Sequence, residues 1–245
     1  MDEVQLFVAG IAALTIVASI VGTVAGFGLS TVMVPILTLF MPVPQVLVLV
    51  GIVHWFGDIW KMVLFRKGLK LSPVIGFVVP AVIMSFIGAV LTLSIDPTVL
   101  SRVLGALMLA YAVFLFVKPT FVLPRKTGPM IAGGAASGFL TGAFGIAGGA
   151  LRGAFLAAYN FPKEVYIATA GAIAVFVDSV RLITYVAGGT TLPPALWIGF
   201  PLFIPASFLG AAIGKKLVDW IPQSAFRKVI AVVLVLVGVR LVIFG

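Results

Sequence analysis

Apolar residues in this chain come in ten runs, broken by short polar stretches or by glycine and proline, and together they fill almost its whole length. They cover residues 5–25, 30–41, 44–65, 72–95 and 100–117, then 130–144, 147–159, 164–186, 193–213 and 226–244. Strand-like alternation of apolar and polar positions is missing from them, so each predicts a helix. Most are long enough to cross a bilayer. The second and seventh are not: their 12 and 13 residues reach roughly 18 to 20 Å at ~1.5 Å per residue, against a hydrocarbon core of ~30 Å.

Each short run opens at a Gly-rich break, Gly26-Phe27-Gly28-Leu29-Ser30 in the first half and Gly142-Ala143-Phe144-Gly145-Ile146-Ala147-Gly148-Gly149 in the second. A helix interrupted inside a membrane leaves backbone groups that lipid cannot satisfy, so such breaks persist only where protein or a ligand covers them. The halves correspond elsewhere too. Asp58-x-x-Lys61 is matched by Asp178-x-x-Arg181, Pro73 by Pro193, Phe86-Ile87-Gly88-Ala89 by Phe208-Leu209-Gly210-Ala211, and Pro97 with Arg102 by Pro222 with Arg227. The pattern predicts an internal duplication, with repeats at 1–120 and 129–245 forming one compact membrane domain.

Positive charge then orients the halves. Arg66, Lys67 and Lys70 follow the third run, Lys118, Arg125 and Lys126 join the halves, and Lys215, Lys216, Arg227 and Lys228 precede the last run. All three loops are expected on the cytoplasmic side. The Asp96 loop, with only Arg102 at its edge, and the uncharged loop 187–192 are expected outside, as are both termini. The loop after Asp58-x-x-Lys61 is thus inside while its counterpart after Asp178-x-x-Arg181 is outside, which makes the repeats inverted. An inverted pair needs an odd number of crossings per half, and five runs supply it if the first two form a hairpin that returns to its own side. Residues 5–25 are also long enough to cross fully, with the short arm running back tilted. The expected fold class is an all-α integral membrane protein of two inverted-topology repeats, each of about five helical segments and each starting with a broken or re-entrant helical hairpin.

Composition agrees and narrows the chemistry. Of 245 residues 62% are hydrophobic and 9% charged, too little polar surface to cover a water-soluble globule of this size. The expected location is the plasma membrane, and Asp2 and Glu3 at the start do not resemble a basic signal-peptide end. The excess of 16 Lys and Arg over 7 Asp and Glu falls in loops that membrane orientation explains, so no nucleic-acid partner is expected. The lack of cysteine excludes disulfides, thiolate metal sites and sulfur relay through a thiol. One histidine and unclustered carboxylates leave no protein-built metal cage, and no cofactor is expected.

The candidate chemistry gathers at the breaks. Each tip begins a helix whose first N–H groups lack intrahelical acceptors and offer partial positive charge to an anion. Ser30 and Thr31 add hydroxyls at one tip, beside Gly28. At the other, Gly145, Gly148 and Gly149 allow a ligand to approach the backbone; the alternative is that these small residues only permit close helix packing, as Gly133, Gly134 and Gly138 are expected to do. Arg152 follows within an apolar run, where a lone guanidinium costs about 2.5 to 3.5 kcal/mol. It needs an anion, a salt bridge to Asp58 or Asp178, or a path to water. Asp58 with Lys61 and Asp178 with Arg181 are i, i+3 pairs on single helix faces, either packing elements or pathway and coupling residues. His54, one turn before Asp58, is a proton shuttle or a structural hydrogen-bonding residue. Trp55, Trp60, Trp197 and Trp220 are assigned to interfacial belts.

These features resemble the sulfite exporter TauE/SafE family, also called the toluene sulfonate uptake permease family. The resemblance covers essentially the entire chain. It rests on the twin Gly-rich motifs at 26–30 and 145–149, each opening a short apolar run, on the segment Glu164-Val165-Tyr166-Ile167-Ala168-Thr169-Ala170, and on the basic loop Arg66-Lys67-Gly68. It implies a permease for sulfite, sulfoacetate, other organosulfonates or related small anions. Family members usually carry three consecutive glycines, where this chain reads Gly28-Leu29-Ser30 and Ala147-Gly148-Gly149. Arg152 falls near a place where proline is common, the position Pro35 holds in the first half.

The expected function is a secondary transporter that binds a small anionic solute near the bilayer midplane between the two Gly-rich tips, with the lipid bilayer as its other partner and a homodimer as an open option. A passive anion channel is the alternative. An intramembrane enzyme acting on lipid phosphate is a weaker one, because Glu3 and Glu164 are the only glutamates and no acid, base and nucleophile cluster occurs.

Overall fold

The computed structural model describes residues 3–25, 28–69, 75–117, 127–158, 162–217 and 223–244, and within them the chain is all helical. Gly26, Phe27, Pro73, Trp220 and Pro222 lie outside the described residues, as do Lys70, Lys118, Arg125 and Lys126. The first half supplies α1 (Glu3–Ala25), α2 (Ser30–Leu37), α3 (Val43–Leu64), α4 (Ile75–Ser94) and α5 (Pro97–Val117). The second supplies α6 (Thr127–Phe144), α7 (Gly148–Ala158), α8 (Lys163–Ala187), α9 (Pro194–Leu217) and α10 (Gln223–Phe244). A 3-10 turn, Arg66–Gly68, follows α3.

Five of these helices, α1, α3, α4, α8 and α9, are long and apolar enough to cross a membrane. The 23 residues of α1 keep a full crossing open as one of the two expected courses. The short arms come out shorter than the apolar runs implied. The 8 residues of α2 and 11 of α7 reach about 12 and 16 Å, well short of the hydrocarbon core. At the other end of the first half, Asp96 caps α5 in an exposed loop, its Oδ1 accepting from the Thr98 N–H at 2.8 Å. Those backbone donors hold its carboxyl below the usual carboxylate range.

The helices pack in pairs. α1 lies along α9, α6 along α4, α3 against α8, and α5 against α10, while α4 also touches α8 and α9 touches α3. Exchanging the first five helices for the last five maps this set of pairs onto itself. Small residues explain the closest of them. A Cβ on Gly138 would fall on the Ala81 carbonyl and one on Gly142 on the Ser85 carbonyl, so the backbones of α6 and α4 nearly touch. In the equivalent pair, a Cβ on Gly210 would stand 2.5 Å from the Ile16 carbonyl of α1. The opposite face of α4 carries Val79, Ile83, Phe86, Ile87 and Val90, all exposed. Small residues inside and large apolar ones outside suit a lipid surrounding.

Two of the tryptophans assigned to interfacial belts also join helices. Trp55 and Trp60 sit within α3 and make interhelical hydrogen bonds, Trp55 Nε1 to Ser179 Oγ at 2.8 Å and Trp60 Nε1 to Ser207 Oγ at 3.1 Å. They fasten α3 to α8 and α9, as buried indole N–H groups require a partner. Trp197 is half exposed on α9.

Candidate functional site: a buried line of charge between two helix breaks

α3 and α8 run antiparallel, with Gly51 facing Arg181 and Leu182, and Gly171 facing the Asp58 backbone. Their two charged pairs therefore meet. Lys61 Nζ donates to Asp58 Oδ1 at 2.8 Å, and Arg181 Nε to Asp178 Oδ1 at 2.6 Å. His54 joins the pairs, its Nδ1–H donating to Asp178 Oδ2 at 2.7 Å. His54 Nε2 stands 3.4 Å from Asp58 Oδ2, and neither atom has a hydrogen-bond partner. Lys61, Asp58, His54, Asp178 and Arg181 thus form one line, each less than 10% exposed. With a neutral imidazole, two cations balance two carboxylates, which is what lets such charges stay buried.

Both helix breaks end on this line. Gly28 has φ 84°, and a Cβ there would overlap the His54 ring at Nε2. Gly145 has φ 68°, and its Cβ would stand 3.0 Å from Arg181 Nη1 and 3.1 Å from Leu47 Cδ2. Only glycine combines that backbone with that proximity. The second break is sealed by side chains. Thr92 Oγ1 donates to the Ala143 carbonyl at 2.8 Å and the Tyr185 hydroxyl donates to the Gly142 carbonyl, meeting acceptors that the end of α6 leaves open. Ser137 Oγ donates to the Gly148 carbonyl at 2.7 Å and ties α7 back to α6.

At the other end of the line is a cavity of about 10 Å3, room for one water. Thr23, Gly28, Asp58, Lys61, Arg152 and Gly171 are on its wall. Arg152 is 3% exposed and its Nε has no hydrogen-bond partner. Neither Asp58 nor Asp178 pairs with it, since both are engaged with Lys61, His54 and Arg181. Among the described residues, Arg152 is therefore one positive charge more than the buried carboxylates balance. Thr23 Oγ1 is buried and unpartnered beside it.

The structure sorts the predicted residues. Gly28, Asp58, Lys61 and Arg152 share the cavity, His54 and Asp178 continue the line, and Gly145 and Arg181 close its far end. The cavity wall takes in the first tip at Gly28 but not Gly145, Gly148 or Gly149 of the second. The salt bridge offered for Arg152 is absent among the described residues. Ser30 and Thr31 are buried in the first turn of α2 and do not line the cavity. A Cβ on Gly148 would overlap Thr141 and the Ser137 carbonyl, so this glycine lets α7 approach α6 closely. Gly149 is half-buried in the first turn of α7, also off the cavity wall. His54, Asp58 and Asp178 offer ligand atoms within 4.8 Å of one another, but a metal cation there would stand beside Lys61 and Arg181 and would take Asp178 Oδ2 from the His54 Nδ1–H.

Sequence reading missed Thr23, Gly171 and Tyr185. Tyr185 carries a faint signal, one turn beyond Arg181 on the same face. A threonine or glycine inside an apolar helix carries none.

The sequence model of a family described as Sulfite exporter TauE/SafE matches residues 11–241 of the chain. Neither a curated protein nor a solved structure matches it closely.

Proposed function

Since the chain belongs to the TauE/SafE sulfite exporter family, it is a multi-pass membrane transporter, and we propose that it carries small anions of the sulfite and organosulfonate class through the cavity beside Gly28. One observation carries this reading: a buried, uncompensated Arg152 shares a polar void with Lys61, Thr23 and the Gly28 break. A guanidinium in a dry interior binds an oxyanion through paired N–H donors, and Lys61 and the Thr23 hydroxyl supply further donors. Asp58 positions Lys61 and, by its charge, sets a limit on how much anionic charge the site accepts.

The cavity now has space for about one water, smaller than any sulfonate. That supports a carrier that must open over a permanently open pore. Alternating access would come from one five-helix half moving against the other about the α3 and α8 line, as in transporters with inverted repeats. The exchangeable helix pairs support the duplication, and the charge distribution supports the inversion. With a negative cytoplasm, each unit of anionic charge gains ~2.3 kcal/mol per 100 mV on leaving the cell. Export then needs no coupling ion. For import, the gap between His54 Nε2 and Asp58 Oδ2 is the place for a proton, which would turn two facing acceptors into a charge-assisted hydrogen bond.

Counterflow in proteoliposomes with sulfite, sulfoacetate, taurine, sulfate and acetate tests the site. Arg152→Ala is expected to abolish saturable exchange of the preferred anion while the protein stays monodisperse in detergent. Normal exchange by folded Arg152→Ala would remove Arg152 from the site.

A further inference from the structure

The line of charge has a second open end. Arg181 is 1% exposed and uses Nε on Asp178; the Tyr185 hydroxyl lies beside its guanidinium, but neither Nη1 nor Nη2 makes a hydrogen bond of good geometry. Two unmet guanidinium nitrogens in a dry interior are costly until an acceptor arrives. Nη1 faces the second break, 3.0 Å from where a Gly145 Cβ would lie. Beyond that break α7 begins, and the first-turn N–H groups of a helix attract anions.

A route leads to this point. An open vestibule of about 430 Å3 is bounded by Leu47, Thr92, Tyr185 and the turn at 188–191. Leu47 and Tyr185 are buried at its floor, and both adjoin the Gly145 break: Leu47 by contact, Tyr185 through the Gly142 carbonyl. The duplication gives this end a counterpart. Gly28 and Ile167 share the first cavity with Lys61, just as Gly145 and Leu47 adjoin Arg181.

We propose that Arg181 forms a second anion site, for the same sulfite or sulfonate class, entered from the vestibule when Tyr185 releases the Gly142 carbonyl. The proposal rests on the reading of the chain as an anion transporter but not on Arg152. Nη1 and Nη2 donate to two oxygens of the anion, the fork geometry that guanidinium groups provide. The Tyr185 hydrogen bond is the latch on the vestibule side, and the anion passes between the two sites along His54.

Because the chain has no cysteine, Leu47→Cys is a single reporter at the vestibule floor. Its alkylation by N-ethylmaleimide is expected to slow several-fold in saturating methanesulfonate. Adding Arg181→Gln should remove that protection, whereas adding Arg152→Ala should leave it. Adding Tyr185→Phe should speed alkylation without anion and keep the protection. Should Arg181→Gln fail to fold, Arg181→Lys is read in its place, since it keeps one charge beside Asp178 but lacks two terminal planar donors. Absence of protection in Leu47→Cys alone, its persistence in the Arg181 variant, or its loss with Arg152→Ala overturns the second site. Exchange abolished by Arg152→Ala together with no protection at Leu47→Cys would overturn this site and leave the first intact.

Discussion

A left-handed alanine at the tip of the second break carries a strain of about 1 to 2 kcal/mol relative to glycine, because its Cβ crowds the following carbonyl. Ala147, with φ 64°, is the one such residue among those described. It is also where this chain departs from the run of three glycines that its family resemblance implies. Ala147→Gly is therefore expected to raise the melting temperature of the detergent-solubilised protein, and Gly145→Ala to lower it, since that Cβ meets Arg181 Nη1 as well as an unfavourable φ. Equal melting temperatures for the parent and both variants would show that neither conformation is held in solution. At this scale the sequence was readable where a residue type was out of place. Arg152 and the paired carboxylates stood out because charge inside an apolar run demands a reason. Their partners did not, since the contact of Asp58 with His54 is local but that of His54 with Asp178 joins residues 124 positions apart. Thr23 was silent because a hydroxyl in a helix usually bonds to the preceding turn, and nothing in the sequence says that this one does not.

Between helices, the closest approaches are made by stripes of glycine four residues apart. Gly134, Gly138 and Gly142 of α6 meet Phe77, Ala81 and Ser85 of α4, while Gly210 and Gly214 of α9 meet Ile16 and Thr23 of α1. Membrane helices gain little from the hydrophobic effect against each other, so such pairs hold by close packing alone. Gly88→Val of α4 and its counterpart Gly210→Val of α9, whose Cβ atoms would each stand 2.5 Å from a carbonyl of the facing helix, should both reduce the yield of monodisperse protein severely, and to similar degrees if the halves are copies. Gly10→Ala, which would meet nothing within 4 Å, should be neutral. A neutral Gly210→Val beside a damaging Gly88→Val, scored by size-exclusion chromatography, would break the equivalence. Helix positions followed closely from apolar run length and from the glycines and prolines that end them, because those signals are local. Hairpin arm lengths were less readable: the run 30–41 carries no charge, yet α2 ends at Leu37 and a three-residue turn at 38–40 follows it toward Pro42.

For the molecule as a whole, the decisive property is the direction in which the two halves enter the membrane. The positive-inside rule places Lys67, after α3, in the cytoplasm and the uncharged turn after α8 outside. α3 and α8 are equivalent in the duplication and antiparallel in the structure, so their exits lie at opposite ends of the same helix pair. Two copies of one fold that leave on opposite sides are related by an axis in the membrane plane, and this relation gives a transporter two interchangeable end states. Under the orientation that the charges predict, the 430 Å3 vestibule, which includes Thr191, opens on the outer face. With no native cysteine in the background, Thr191→Cys should react with a membrane-impermeant maleimide on intact cells, whereas Lys67→Cys should react only after permeabilisation. Labelling of both from the same side would mean that one helix of the antiparallel pair does not cross. The inverted arrangement, and with it the two-sided access on which the transport cycle depends, would then fall, although the buried line of charge would stand.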